Sequence, residues 1–295
     1  MKEKLISKEI SSREIVSAHL DIIEEKEKDI NAFITVTKEE ALNAADKIDE
    51  KIKSGEKLGP LAGIPIGIKD NIVTKNIKTT CASKMLENFI PPYDATVIEK
   101  IKKADGIIIG KSNMDEFAMG SSTETSFFGP TKNPLDLERV PGGSSGGSAA
   151  GVAAYEMALS LGSDTGGSIR QPASLNGIVG VKPSYGSVSR YGLVSLANSL
   201  DQIGAMGRNV EDTTLLLETI IGYDEKDSTS INLDDKNLME KLTENIKDMK
   251  IAIPREFFDI KMDDRVRDKV KSAIKIFESL GADIEEISLP HIKYS

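Results

Sequence analysis

The chain has no tryptophan, one cysteine, two histidines and only 5% aromatic residues among its 295. A single thiol, Cys81, excludes an internal disulfide framework. Two distant histidines and one cysteine fall short of a usual zinc ligand set, so no metal site is expected. They also supply a Ser-His-Asp triad poorly, because His19 lies in an amphipathic helical pattern and His291 near the last residue, where packing or surface roles are expected. No long apolar run is present. The most apolar stretch, Gly151 to Gly162, is broken by Glu156 and is too short to span a bilayer. The net charge of −9 is mixed in sign along the chain, which argues against extensive RNA binding by this chain alone. The opening Met1-Lys2-Glu3-Lys4 is hydrophilic rather than leader-like, and a reducing cytoplasm is the expected setting.

What is present suffices for a packed core, since 39% of residues are hydrophobic. Ser11-x-x-Glu14 has the form of a capping box and precedes Ile15, His19, Ile22 and Ile23 at helical spacing. A short strand over Ala32 to Val36 and a helix over Glu39 to Lys53 follow, ending before the breakers Gly55 and Gly59-Pro60. Residues 1–58 thus read as a helical N-terminal region.

From Leu61 onward, short apolar runs (Ile64 to Ile68, Ile107 to Ile109, Ile178 to Val181) alternate with helical or glycine-rich segments, the pattern of an α/β sheet. A helix over Thr213 to Ile221 leads to a polar loop near Asp227 to Lys236. Strand, helix and strand are expected at Ile251 to Ile253, Asp264 to Leu280 and Ala282 to Leu289, with no helix closing the chain. No fixed-period repeat is visible, which excludes a solenoid.

Two loops concentrate glycine and serine: Pro141-Gly142-Gly143-Ser144-Ser145-Gly146-Gly147-Ser148 and Gly162-Ser163-Asp164-Thr165-Gly166-Gly167-Ser168-Ile169-Arg170-Gln171-Pro172. Both abut apolar elements, so they read as loops pinned on a scaffold rather than linkers. Glycines before a serine leave backbone N–H groups unshielded, and Thr165, Gly166, Gly167 and Ser168 can turn several donors on one oxygen as an oxyanion hole does. A serine needs a base, and with histidine poorly placed the remaining choice is an uncharged lysine, its pKa lowered by burial. Lys69 ends Gly63-Ile64-Pro65-Ile66-Gly67-Ile68-Lys69, a strand pattern that can deliver an amine into a dry interior, whereas the other lysines look mostly solvated.

Two motif-like runs are set aside. Gly142-Gly143-Ser144-Ser145-Gly146 satisfies G-x-S-x-G but lacks the preceding strand and the downstream acid and histidine of an α/β-hydrolase elbow. Gly106-Ile107-Ile108-Ile109-Gly110-Lys111-Ser112 is one residue short of a phosphate loop. Asp164 and Arg170 are read first as organisers of the second loop, with carboxylate binding by Arg170 as the alternative.

Lys69 and the two loops together resemble the amidase signature family. In that family the serine of the second loop attacks the amide, the first serine of the first loop relays the proton and a lysine is the base. These roles fall on Ser168, Ser144 and Lys69, with 24 residues between the serines and 75 from lysine to relay serine. The resemblance further implies a mixed sheet flanked by helices in one domain over 1–295, a cis peptide between Gly143 and Ser144, and substrate contacts from Met119, Gly120 and Ser121.

Asn113-Met114-Asp115-Glu116-Phe117-Ala118-Met119-Gly120-Ser121, Thr79-Thr80-Cys81-Ala82-Ser83-Lys84 and Ser199-Leu200-Asp201-Gln202-Ile203-Gly204 are similar to the branch formed by A subunits of tRNA-dependent amidotransferases. That branch implies release of ammonia from glutamine, which is channelled to a B subunit that holds ATP with magnesium and the misacylated Glu-tRNA(Gln) or Asp-tRNA(Asn). A small C subunit clasps the pair. No cofactor is then expected on this chain. Family members continue beyond Ser295 into a segment that completes the sheet and helps grip the substrate's head group, so a C-terminally incomplete domain is expected. A stand-alone amidase for another small amide, and a non-catalytic interaction fragment, stay open beside this reading.

Overall fold

The computed structural model describes residues 2–233, 237–242 and 245–294. They fall into two compact units, Met1–Met239 and Glu240–Ser295.

In the first unit, α1 (Lys2–Ile6) precedes α2 (Ser12–Ile30), β1 (Phe33–Val36) and α3 (Lys38–Ser54). The capping box forms: Ser11 Oγ accepts from Glu14 N while Glu14 returns its carboxylate to Ser11 N at 2.8 Å. β2 (Pro65–Lys69), α4 (Thr96–Lys103), β3 (Ile107–Ser112), α5 (Gly146–Ala153), β4 (Leu159–Asp164), α6 (Arg170–Leu175), β5 (Val179–Val181), β6 (Gln202–Gly207) and α7 (Val210–Ile220) follow. The sheet runs β1-β3-β2-β4-β6-β5, parallel between β2 and both β3 and β4 and antiparallel elsewhere. The expected polar loop near Asp227 is built of turns, and its residues 234–236 lie outside the described residues. A short helix, α8 (Leu238–Lys241), comes next in the chain.

Strand parity sorts the core into two layers. Successive side chains of a strand point to opposite faces. Ile108 accordingly joins Val97, Ile98 and Ile101 of α4 and Leu216, Leu217 and Ile220 of α7. Its neighbours Ile107 and Ile109 join Val16, Leu20 and Ile23 of α2 and Ala150 and Val152 of α5. The result is the expected mixed sheet flanked by helices. On β2, Ile66 and Ile68 take the first face. Gly67 and Lys69 therefore take the second, beneath α5, and a Cβ on Gly67 would stand 2.1 Å from the Met157 sulfur of that layer. The run Gly106 to Ser112 is strand β3 with its lead-in, all of it part of the sheet, rather than a phosphate-binding turn.

The second unit contains β7 (Lys250–Pro254), α9 (Glu256–Asp259), α10 (Asp264–Ser279) and β8 (Asp283–Ile287), with β7 and β8 parallel. A 3-10 turn over Pro290–Tyr294 follows where no helix is expected, and His291 is exposed on it. No helix among the described residues is long and apolar enough to cross a membrane.

Two features of the layer around α5 give measurable consequences. A Cβ on Gly147 would meet backbone atoms of Ala32 and Asn113 at 2.4–2.6 Å, and backbone cannot yield as a flexible side chain can. Gly147→Ala is expected to lower the unfolding free energy by about 1–3 kcal/mol in urea denaturation. Just past α5, Glu156 is fully buried against Glu27, with which it shares a side-chain hydrogen bond. Burial and the neighbouring Glu27 push its carboxyl up to about 9, and burial raises Glu27 to about 7. Both groups hold protons in the folded chain at pH values where the unfolded chain, with carboxyl pKa values of about 4.3, has lost them. Their contribution to stability is complete below that value and is lost as pH rises through about 7 and about 9. Stability measured across pH 5 to 9 should decline, and Glu156→Gln should flatten most of that decline.

Candidate active site

β2 delivers Lys69 to the α5 face of the sheet, where its side chain is completely buried. Its Nζ donates to Ser144 Oγ at 2.6 Å and to the Ser163 carbonyl at 3.2 Å. Burial pulls its ammonium down to about 7, against the carboxylates of Asp115, Asp164 and Asp201, which favour the charged form. An unprotonated form of this amine, able to accept a proton, is therefore accessible at neutral pH.

Ser144 sits on the loop entering α5, and the Gly143–Ser144 peptide is cis. The loop is held from several sides. Gly143 N–H donates to Gln171 Oε1 at 3.0 Å, Thr123 Oγ1 donates to the Gly142 carbonyl and accepts from Gly146 N–H, and Asp115 N–H donates to the Ser144 carbonyl. Ser145 hydroxyl bonds the Ser163 carbonyl at 3.1 Å, and Ser145 N–H bonds the Ser168 carbonyl at 3.2 Å, so the two serine loops are laced together.

The second loop turns about Asp164, the last residue of β4. Its carboxylate accepts from the backbone of Gly167 at 2.8 Å and Ile169 at 3.0 Å, and from the Arg170 guanidinium at 3.0 and 3.1 Å. Although burial alone would raise it, those donors hold the carboxyl below the usual range. Asp164 and Arg170 thus act on the loop itself, the organising role expected of them. Gly167 adopts φ +131°, a conformation open to glycine. Thr165 Oγ1 bonds Asp201, anchoring the other side of the turn.

Of the amides expected to face an oxyanion, that of Gly167 is turned to Asp164. Those of Thr165, Gly166 and Ser168 make no hydrogen bond among the described residues. The Ser168 hydroxyl likewise has no hydrogen-bond partner among them. Ser168, Thr165, Gly166 and Gly167 line one wall of an open cavity of about 310 Å³, and Met119, Gly120 and Ser121 line another. The structure thus places Lys69 and Ser144 in direct contact, Ser168 on the loop laced to that of Ser144, and Met119, Gly120 and Ser121 along the cavity that Ser168 also lines.

Three other polar residues at or beside the site escape sequence reasoning. Lys111 is completely buried rather than solvated, bonding Thr79 Oγ1 at 2.8 Å, the Ile72 carbonyl at 2.9 Å and Asp70 at 3.3 Å. The expectation fails because β3 is a central strand, so both of its faces are covered. Asp115 is completely buried, and a Cβ on either Gly120 or Gly143 would lie within 2.5 Å of its carboxylate oxygens. Gln171 bridges Gly143 and Ser121. Its only sequence signal is its spacing, three residues after Ser168. His19 packs as expected, buried with Nδ1 2.9 Å from the Tyr155 carbonyl.

The amidase family model matches residues 14–295. Over 99% of its length the chain is 59% identical to the A subunit of a glutamyl-tRNA(Gln) amidotransferase from Carboxydothermus hydrogenoformans, and it spans about 60% of the length of such curated relatives. Among solved structures, the A subunit of the Thermotoga maritima glutamyl-tRNA(Gln) amidotransferase superposes with a TM-score of 0.86 at 46% identity, covering 96% of this chain and 60% of that one. The peptide amidase of Stenotrophomonas maltophilia superposes at 0.91 and 28% identity, covering 99% of this chain and 62% of that one. With a cis-peptide serine, a buried lysine against it and a second serine loop laced alongside, the chain belongs to the amidase family.

Proposed function

We propose that this chain is the glutamine-hydrolysing part of a tRNA-dependent amidotransferase, with Ser168 as nucleophile, Ser144 as proton relay and Lys69 as base. The observation that carries the reading is the 2.6 Å contact between a wholly buried Lys69 amine and Ser144 Oγ beside the Ser168 cavity. An unprotonated Lys69 takes the Ser144 proton as Ser144 takes that of Ser168, and Ser168 Oγ adds to the carboxamide carbon. The developing oxyanion is met by the amides of Thr165, Gly166 and Ser168, with Gly167 joining if its bond to Asp164 opens. Collapse returns the proton through Ser144 to the leaving nitrogen, ammonia departs, and water repeats the cycle on the acyl-enzyme.

Glutamine as substrate is supported by the names of the most similar relatives, A subunits of glutamyl-tRNA(Gln) amidotransferases, not by a head-group clamp in this chain. On this proposal, and as the resemblance to the A-subunit branch implies, ammonia passes to a B subunit that uses ATP with magnesium on misacylated tRNA, with a C subunit joining them, in the cytoplasm. The likeness to a peptide amidase supports a second reading, a stand-alone amidase with the same triad and a different acyl group. Ammonia release from glutamine, measured for the chain alone and assembled with B and C subunits, distinguishes the two.

The triad itself is tested by reaction with a serine-directed sulfonyl fluoride. Labelling should map to Ser168, vanish in Ser168→Ala and fall about 10²–10⁴-fold in Lys69→Met. Its rate should rise with pH through about 7, where Lys69 loses its proton, and then level off. Undiminished labelling or glutaminase activity in Lys69→Met sinks the assignment.

A further inference from the structure

Gln171 lies on the first turn of α6, three residues after Ser168, and lines the cavity beside it. Both ends of its side-chain amide are used. Oε1 accepts from Gly143 N–H and Nε2 donates to the Ser121 carbonyl, each at 3.0 Å. Its own backbone N–H bonds the Gly167 carbonyl at 2.8 Å. One residue thus joins the relay loop, the substrate rim and the nucleophile loop.

The chemistry of these partners fixes the residue type. Gly143 offers a donor and needs an acceptor, while Ser121 offers an acceptor and needs a donor. A primary amide of this length supplies one of each, a carboxylate supplies only acceptors and a thioether only a weak acceptor. The fit is close, since a Cβ on Gly142, which has φ +84°, would stand 2.5 Å from Gln171 Oε1. On the opposite side, the Asp115 carboxylate fills the space against Gly143 and Gly120. The Gly143 backbone is gripped between the two.

We propose that Gln171 is a positioning residue of the acyl-transfer step, tying the Gly142–Gly143 peptide, which leads directly into Ser144, and the Ser121 rim to the helix that follows the Ser168 loop. Through Gly143 it sets where the Ser144 hydroxyl stands relative to Ser168. Through Ser121 it sets the width of the cavity. The inference rests on the reading of Ser168 as nucleophile.

The test follows inactivation of the 295-residue chain by phenylmethanesulfonyl fluoride, with the adduct located by mass mapping. Saturation kinetics separate the limiting rate from the half-saturating concentration, and thermal midpoints are recorded alongside. Gln171→Met, similar in size but without either bond, should lower the limiting rate about ten-fold or more, with the pH midpoint at about 7 unmoved because Lys69 is untouched. Gln171→Glu keeps an acceptor for Gly143 and gives up the donor to Ser121. It should recover most of the limiting rate while raising the half-saturating concentration.

Wild-type kinetics in Gln171→Met overturn the proposal, as does a loss in both variants that follows the thermal midpoint without rescue by glutamate. Should Gln171→Met fail to fold, Gln171→Glu decides alone. A raised half-saturating concentration with the rate kept supports the proposal, and an unchanged pair of constants overturns it. Absence of a Ser168 adduct in the unsubstituted chain overturns the underlying reading instead.

Discussion

The constraint on which this site depends is the burial of the Lys69 amine with no carboxylate among the described residues in contact with it. An isolated ammonium in a dry interior is strongly disfavoured, and desolvation alone can depress a lysine pKa by about 3–5 units. The contacts Lys69 makes are a hydroxyl and a carbonyl, which do not neutralise charge. The carboxylates of Asp115, Asp164 and Asp201 act from farther away and oppose the depression. The balance brings the amine down to about 7, so that an unprotonated form is available at physiological pH, the condition a base for serine must meet.

Lys111 shows how much depends on that missing partner. It lies on the adjacent strand, is equally buried, and is likewise pulled down by desolvation. Asp70 stands 3.3 Å from it, and Thr79 and the Ile72 carbonyl take its remaining donors. Asp70 in turn accepts from Thr80 N–H and its hydroxyl. The same side chain that meets only a hydroxyl and a carbonyl on β2 stands beside a carboxylate on β3, that of Asp70, the residue next to Lys69. The Lys111–Asp70 contact braces the end of β2 without touching Ser144 or Ser168.

The sequence made the sheet, its flanking helices and the residues proposed to react legible because each has a local signal. The capping box at Ser11, the alternating isoleucines before Lys69 and the glycine-serine loops are each written within a few residues. What it hid is long-range. The burial of Lys111 depends on neighbours at Asp70 and Thr79, more than 30 positions away. The clamp on Gly143 comes from Gln171, on α6, and Asp115, just beyond β3, segments that meet only in the folded chain. The commitment of the Gly167 amide to Asp164 is hidden differently: the residues are close in sequence, but whether an amide points inward or toward solvent is set by backbone torsions that composition does not specify.

That last detail bears on how the site is primed. With Gly167 N–H bonded to Asp164 at 2.8 Å, the loop in this structure is shaped by its own carboxylate before any substrate enters. Donors aligned in advance cost no reorganisation at the moment charge develops, which is the larger part of what an oxyanion hole contributes. Asp164 commits one amide to orient the others: its bonds to Gly167, Ile169 and Arg170 set the turn that leaves Thr165, Gly166 and Ser168 open beside the cavity. The glycines at 166 and 167 serve different ends within that turn. Gly167 supplies the positive φ, while Gly166, with nothing within 4 Å of where a Cβ would stand, keeps the approach to its amide clear. Lys69, Ser144, Ser168 and this turn, the groups proposed to carry out acylation, all lie in the first compact unit.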